Sequence, residues 1–157
     1  MISKINDKEF EDISSLLKMT GLTIFSSGSG AGPGYIGYGI MKASSVFSGK
    51  KEVKLEDFAD FFLSMKNAIQ KKGGAKIGDR TLIDALEPAV NALLKRDEYM
   101  FENAYFAAKE GAESTKELIP KKGRSFHLGD RILGTPDPGA TSIALLFEAI
   151  VKYQRER

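Results

Sequence analysis

Apolar side chains recur at three- and four-residue spacings through most of the chain, and this spacing is typical of helices rather than strands. The clearest stripe lies in LEDFADFFLSMKNAIQKKGG, which Gly73 and Gly74 are expected to end. Its members are Leu55, Phe58, Phe61, Phe62, Met65, Ala68 and Ile69. No segment alternates convincingly with period two. The pattern therefore predicts an all-α fold, an antiparallel up-and-down bundle of about six helices joined by short turns.

The other helices are predicted from shorter stripes and from residues that begin or end helices. The first, in NDKEFEDISSLLKMTG, is capped by Asn6 and ended by Gly21. An apolar segment from Tyr35 to Phe47 predicts the second. A helix that begins near Asp79 contains Pro88, where we expect a kink or a break. The segments YMFENAYFAAKEGAESTKELI and TSIALLFEAIVKYQRE complete the set.

Length and composition narrow the classes of function. A chain of 157 residues predicts one domain, residues 1–157. A net charge of +2 is too small to favour nucleic acid or an anionic membrane surface as a partner. The chain has no cysteine, which excludes disulfides, thiolate zinc sites and cysteine nucleophiles. The charged N-terminal segment is no signal peptide and no apolar run suits a membrane span, so we expect a cytoplasmic protein.

A glycine-dense stretch, SSGSGAGPGYIGYG, follows the first helix. Gly32, Gly34 and Gly37 match the letters of the dinucleotide fingerprint G-x-G-x-x-G, but that motif needs a preceding strand that this pattern does not predict. A loop that runs into a helix N-terminus fits better, because exposed backbone N–H groups there favour an anion such as phosphate. A connector that binds nothing remains the alternative.

The stretch GRSFHLGDRILGTPDPGA has four glycines, two prolines and no apolar period, so we predict that Gly123–Ala140 is non-helical over most of its length. So long a loop in a compact domain is usually functional. Arg124 and Arg131 offer planar donors for phosphate or carboxylate, and Asp137 suits base or ribose contacts. His127 is interpreted as a loop residue rather than a metal ligand. The residues alone predict an anionic small ligand between this loop and the glycine-rich one.

One carboxylate in the chain has unusually apolar neighbours. Asp84 stands between Leu82, Ile83, Ala85 and Leu86, whereas Asp79 suits a helix N-cap. A carboxylate in such company is expected to lie in a groove with a partner.

Four stretches together resemble one family: GLTIFSSGSGAGPGYIG, GGAKIGDRTLIDALEPAV, AAKEGAEST and KKGRSFHLGDRILGTPDPGATS. Their order and spacing, over nearly the whole chain, are similar to the ADP-binding L subunit of phosphotransferase-system-type dihydroxyacetone kinase. The combination of G-D-[KR]-T-x-x-D-A-L with G-R-x-x-x-L-G-[DE]-R-x-x-G-x-x-D-P-G-A is specific. The resemblance implies a barrel-like bundle of eight antiparallel helices, of which this chain holds about six, with ADP across one end.

The resemblance also implies a function and partners. In the family, ADP is a held cofactor that a phosphohistidine of the M subunit converts to ATP. The L subunit then passes the γ-phosphate to dihydroxyacetone, which is bound to a histidine of the K subunit. By resemblance, Ala31 and Gly32 lie on the phosphates and Gly73 and Leu82 approach the adenine. The full implied cofactor-binding set is Gly30, Ala31, Gly32, Gly73, Leu82, Arg124, Asp137, Pro138 and Gly139; catalytic residues stay unassigned.

The chain departs from the family pattern in three places. Gly32 lacks a phosphate-facing hydroxyl, and Leu82 stands where methionine is common. The family's acidic motif G-D-x-D-x-G, whose aspartates bind two magnesium ions, would precede the first helix and is not found in these residues, so no metal ligand is assigned here. Magnesium supplies much of the charge neutralisation in phosphoryl transfer, so the chain alone is expected to be inactive.

Two other functions remain open from the sequence. A natural short form could keep the partner surface and serve as a catalytically inactive regulatory or scaffold module of the same system. A third reading is a carrier of a small apolar ligand. A bundle without two of its helices should expose an apolar groove, which predicts self-association or a bound apolar molecule.

Overall fold

A computed structural model describes residues 8–27 and 30–156, apart from the side chain of Arg124. These ranges contain six α-helices and no strand, which confirms the all-α prediction. The helices are α1 (Ile13–Ser27), α2 (Ala31–Ala43), α3 (Asp57–Gly73), α4 (Ile83–Leu93), α5 (Met100–Ser114) and α6 (Pro138–Arg155). Three 3-10 segments accompany them, Ser44–Phe47, Thr115–Glu117 and Arg124–Ile132. None of the described helices is both long and apolar enough to cross a bilayer.

The chain divides into two compact units, Met1–Gly73 and Gly74–Arg157. The first unit contains α1, α2 and α3, and the second contains α4, α5 and α6. Within each unit the middle helix packs against both of the others. The prediction of a single domain over residues 1–157 stays a prediction.

The start of α1 is held by an aspartate that the sequence did not single out. Asn6, the predicted cap, lies outside the described residues, and α1 begins at Ile13. Asp12 Oδ1 accepts the N–H of Ser15 at 2.7 Å, and Ser15 Oγ accepts the N–H of Asp12 at 3.3 Å. Asp12 Oδ2 accepts the N–H of Gly49 at 2.7 Å, and this bond is the main reason that the pKa of Asp12 is lowered. One carboxylate thus caps α1 and fastens the turn after Phe47.

Glycines in α1 and α2 make a close helix crossing rather than a loop. The prediction that Gly21 ends the first helix is wrong, because α1 continues to Ser27. A Cβ at Gly21 would lie 2.7 Å from the carbonyl oxygen of Gly37, and a Cβ at Gly37 would lie 2.5 Å from the nitrogen of Phe25. Only hydrogen fits between backbones at this distance. Much of the glycine-dense stretch is therefore helical.

The stripe predicted for α3 forms the core of the first unit. Phe61, Phe62, Met65 and Ile69 are buried, and the ring of Phe61 stacks on Phe47 with centroids 5.5 Å apart. Leu55, the first member of the predicted stripe, precedes the helix and is exposed. The helix ends at Gly73, as predicted.

In the second unit, α4 begins later than the sequence predicts. The prediction of a start near Asp79 is wrong, because Asp79 Oδ2 accepts the N–H of Lys76 at 2.9 Å in a turn and the helix begins at Ile83. Of the kink or break expected at Pro88, the break does not occur, since α4 continues through Pro88 to Leu93, and the kink stays a prediction.

Pro88 explains how α4 and α5 approach each other. Proline has no N–H to donate to the carbonyl four residues earlier, so the Asp84 oxygen lacks its usual partner in the helix. Gly111 of α5 lies against this oxygen, and a Cβ added at Gly111 would collide with it and lie 2.9 Å from Cα of Ala85. The Asp84 carbonyl oxygen, which lacks its helical donor, therefore lies against Gly111, which lacks a side chain.

Candidate functional site

The stretch Gly123–Ala140 is more regular than the sequence predicts. The prediction that it is largely non-helical is wrong, because Arg124–Ile132 forms 3-10 turns and α6 begins at Pro138. The turns are broken at Gly129, which has non-helical angles of φ 57° and ψ −132°. Hydrogen bonds over three residues satisfy the backbone locally. They need no apolar stripe, and this explains why the hydrophobic pattern missed them.

The segment from Lys121 to Thr135 is fastened at both ends to neighbouring residues that precede α4. The N–H of Lys121 donates to the carbonyl oxygen of Asp79 at 3.1 Å. At the other end, the Arg80 side chain donates to the carbonyl oxygens of Ile132 at 3.0 Å and Thr135 at 2.6 Å. The segment between these bonds therefore begins and ends beside Asp79 and Arg80.

Arg80 is the site residue that sequence reasoning missed. It is only 1% exposed, and its backbone lies in the left-handed region with φ 59°. Besides the bonds from Nη2 to the stretch, which include one to Thr135 Oγ1 at 3.4 Å, its Nε donates to the carbonyl oxygen of Thr115 at 3.0 Å. The one sequence signal for it is its position inside the motif G-D-[KR]-T, because no local pattern predicts that an arginine will be buried among distant carbonyls.

The first turn of α6 brings together four of the predicted site residues. Asp137 is 7% exposed and caps the helix, since its Oδ2 accepts the N–H of Ala140 at 2.9 Å. Pro138 occupies the first helical turn, where its missing N–H costs nothing. Gly139 follows, and a Cβ there would lie 3.2 Å from Cβ of Leu82. Leu82, Asp137, Pro138 and Gly139 thus form one compact cluster.

The buried Thr115 holds this cluster in place through hydrogen bonds. The N–H of Asp137 donates to Thr115 Oγ1 at 2.7 Å, and the same hydroxyl donates to the Ala112 carbonyl oxygen at 2.6 Å. The N–H of Gly134 donates to the carbonyl oxygen of Lys116 at 2.9 Å. The start of α6 is therefore tied to the end of α5 through side chain and backbone.

Burial raises the pKa of Asp137 above its ordinary value of 3.8, because desolvation disfavours the ionised carboxylate. The N–H groups of Ala140 and Gly139 and the charge of Arg80 oppose this rise. A raised pKa in the folded protein means that the protonated carboxyl stabilises the fold. This stabilisation is fully present below the unfolded pKa and is lost as the pH rises through the folded one.

Asp137→Asn tests that linkage, because asparagine keeps an oxygen that can accept the Ala140 N–H but does not titrate. We expect the stability of the natural chain relative to Asp137→Asn to increase as the pH falls from neutral towards the raised pKa. Urea unfolding at a series of pH values measures this difference. A difference that shrinks on acidification would show that the pKa is lowered instead.

The remaining predicted site residues lie at helix ends or at the start of the 3-10 turns. Gly30 precedes α2 in an extended conformation, and Ala31 and Gly32 form its first turn, where backbone N–H groups lack helical partners. A Cβ at Gly32 would meet no atom within 4 Å. Gly73 ends α3, where a Cβ would lie 3.1 Å from the ring of Tyr35. Arg124 begins the 3-10 turns, and its side chain is not among those described.

The carboxylates near the cluster are already occupied by backbone groups. Asp84 is 3% exposed and accepts the N–H groups of Gly78 at 2.6 Å and Thr81 at 2.7 Å, so the partners expected for it are backbone amides. Within residues 8–27 and 30–156, no three side chains of histidine, cysteine, aspartate or glutamate converge to hold a metal ion. His127 is exposed beside the ring of Phe126.

Residues 8–27 and 30–156 contain helices and no strand, and the capped start of α6 is the candidate site. The chain belongs to the DAK2 domain family, whose model matches residues 1–152. This confirms the resemblance drawn from the sequence.

The comparisons with known proteins agree with this assignment. The chain is 35% identical over 146 residues to the ADP-binding subunit DhaL of PEP-dependent dihydroxyacetone kinase 2 from Listeria innocua. The match covers 90% of this chain and 68% of that protein. It is 30% identical over 152 residues to the corresponding Escherichia coli K12 subunit, over 93% of this chain and 72% of that protein.

Solved structures show the same fold. The native dihydroxyacetone kinase of C. freundii matches with a TM-score of 0.68 and 26% identity over 90% of this chain. The match spans 24% of that longer chain. The same kinase in complex with AMP-PNP and Mg²⁺ matches with a TM-score of 0.65.

Proposed function

We propose that this chain is the ADP-binding subunit of a dihydroxyacetone kinase, which takes phosphate from a phosphohistidine carrier onto bound ADP and passes it to dihydroxyacetone. The observation that carries the proposal is the capped α6 start, where the buried Asp137 and the adjoining Pro138 and Gly139 stand in the D-P-G segment of the family motif. Two relatives at 30% identity or more are ADP-binding subunits. The relatives do not favour the alternative of a regulatory or scaffold module.

The second unit offers chemistry that suits one part of a nucleotide. Gly139 lets Leu82 and the Asp137 carboxylate pack against the first turn of α6, because a Cβ there would lie 2.9 Å from Asp137 Oδ2 and 3.2 Å from Leu82 Cβ. By resemblance, Leu82 approaches the adenine. The first N–H groups of a helix carry a partial positive charge that favours anions. By resemblance, Ala31 and Gly32 contact the phosphates, and Gly73 and Arg124 complete the set.

Magnesium does not fit the described residues. A divalent site for phosphates needs carboxylate oxygens free to coordinate, and both Asp84 and Asp137 accept backbone N–H groups instead. We therefore derive no step through the metal. The partners in our proposal are a dihydroxyacetone-binding K subunit and a phosphohistidine-carrying M subunit, with an acidic magnesium-binding segment supplied outside these residues.

Binding of ADP to the natural chain tests the proposal. We expect ADP added to a ¹⁵N-labelled sample to shift the amide signals of Gly139 and Ala140. The affinity should be weaker than micromolar, because the phosphates keep uncompensated charge without bound magnesium. Fusion of an acidic G-D-x-D-x-G segment should tighten binding and restore transfer of phosphate in the presence of the K and M partners.

Two variants make the titration specific. Asp137→Ala removes the cap and should weaken ADP binding, whereas Asp130→Ala changes an exposed aspartate of the same stretch and should leave it unchanged. Absence of any shift at the α6 start at millimolar ADP would refute the proposed function. Micromolar or tighter binding by the unfused chain would show instead that other groups supply the metal ligands.

A further inference from the structure

The geometry points to Arg80 as a positioning residue that holds the start of α6 in the shape that binds nucleotide. This inference rests on the proposed function. Arg80 does not belong to the predicted cofactor-binding set, and its side chain contacts two separate segments of the second unit. One is the end of α5, at Thr115, and the other is the approach to α6, at Ile132 and Thr135.

The burial of Arg80 shows that these contacts matter. A guanidinium withdrawn from water is unfavourable unless its N–H groups find acceptors, and here the acceptors are three backbone carbonyls. The ion pairs of Lys50, Lys116 and Lys152 do not include it. Its left-handed backbone adds strain that the surroundings must offset. We infer that the role of Arg80 is to connect the end of α5 to the segment that precedes α6.

The connection reaches the candidate site in two steps. Arg80 Nε fixes the carbonyl of Thr115, whose hydroxyl accepts the N–H of Asp137. Arg80 Nη2 fixes the carbonyl of Thr135, two residues before Asp137. Asp137 is thus held through its own N–H and through the chain that precedes it. Without Arg80, the bonds that tie Ile132–Asp137 to the end of α5 would be those to Thr115 Oγ1 and to the Lys116 carbonyl.

The acceptors around the Arg80 side chain require a long side chain that carries hydrogen-bond donors. Methionine matches much of the length of arginine but donates nothing, so Arg80→Met leaves the carbonyls of Thr115, Ile132 and Thr135 without these donors. Lysine can donate to several carbonyls from one point, and the motif G-D-[KR]-T admits it. If Arg80→Lys keeps the ADP affinity that Arg80→Met loses, the role of Arg80 is to donate hydrogen bonds and not only to fill space.

The test combines ADP titration with amide exchange on the ¹⁵N-labelled natural chain and its variants. Arg80→Met should weaken ADP binding by about tenfold or more and speed exchange at the amides of Gly134 and Asp137. The amide of Leu86 in α4 should change less. Arg80→Lys should keep most of the affinity. Arg96→Met is the matched control, because Arg96 is also left-handed but exposed, and it should have no effect on binding.

Each outcome decides the inference. Unchanged ADP affinity in Arg80→Met, or equal losses in the methionine and lysine variants, would overturn it. If Arg80→Met does not fold, Thr115→Val carries the test, because it removes the acceptor for the Asp137 N–H and keeps the shape. Faster exchange at Asp137 in that variant with no loss of affinity would likewise overturn it. A natural chain that binds no ADP refutes the proposed function, and this inference with it.

Discussion

Replacement of Gly111 by alanine is expected to destabilise the protein by about 3 kcal/mol or more. The new methyl group would collide with the carbonyl oxygen of Asp84 and crowd Cα of Ala85. Both obstacles are backbone atoms of α4, so no side-chain rotation relieves the clash, and α4 and α5 must move apart. Urea or thermal unfolding measures the loss, and circular dichroism at low temperature checks that the helices still form.

Glu110→Ala is the control for that substitution, because it changes an exposed neighbour in the same helix. Exposed substitutions usually alter the free energy of unfolding by less than about 0.5 kcal/mol. A Gly111→Ala protein as stable as this control would show that the helices are farther apart in solution than the structure has them.

Gly37→Ala should have the second largest effect, about 2–3 kcal/mol of destabilisation. A methyl group there would lie 2.5 Å from the nitrogen of Phe25 and 2.6 Å from the carbonyl oxygen of Gly21. The contact joins two helix backbones, so relief requires α1 to separate from α2. Thermal unfolding followed at 222 nm would register the change in the first unit.

A neighbouring glycine in the same helix should respond in the opposite direction. Gly34→Ala places its methyl group where no atom lies within 4 Å, and alanine is favoured over glycine in helices. We expect stabilisation of about 0.5–1 kcal/mol. If Gly34→Ala and Gly37→Ala change stability in the same direction, the helix crossing at Gly37 is not as described.

The helices with wide apolar stripes could be predicted from the sequence, because the stripe can be read locally and arises from burial of one helix face in the core. The stripe of α3 shows this: Phe61, Phe62, Met65 and Ile69 are buried as their spacing predicts. Gly21 shows where the method fails. A glycine after a helical stripe is typical of a helix end, and a glycine at a helix crossing looks the same until the partner helix is known.

The candidate site divides in a similar way. The motif around Asp137 and Gly139 predicted a site, and in the structure these two residues lie beside Leu82. Arg80 was missed because its acceptors, at Thr115, Ile132 and Thr135, are 35 to 55 residues away in the chain. Backbone carbonyls carry no sequence signal, so a side chain that depends on them alone cannot be recognised from residue types.

The two bonds that fasten Lys121 and Ile132 to residues 79 and 80 make the intervening segment an Ω-loop, whose ends meet and whose interior bends at Gly129. The entropy of closing such a loop grows only with the logarithm of its length, about 0.6 kcal/mol for each doubling. Residues added between the fastened ends would therefore cost little free energy, while the start of α6 keeps its place. The two bonds thus separate the position of the α6 start from the length of the loop, and Arg124 is the member of the predicted cofactor-binding set that a change in loop length would move.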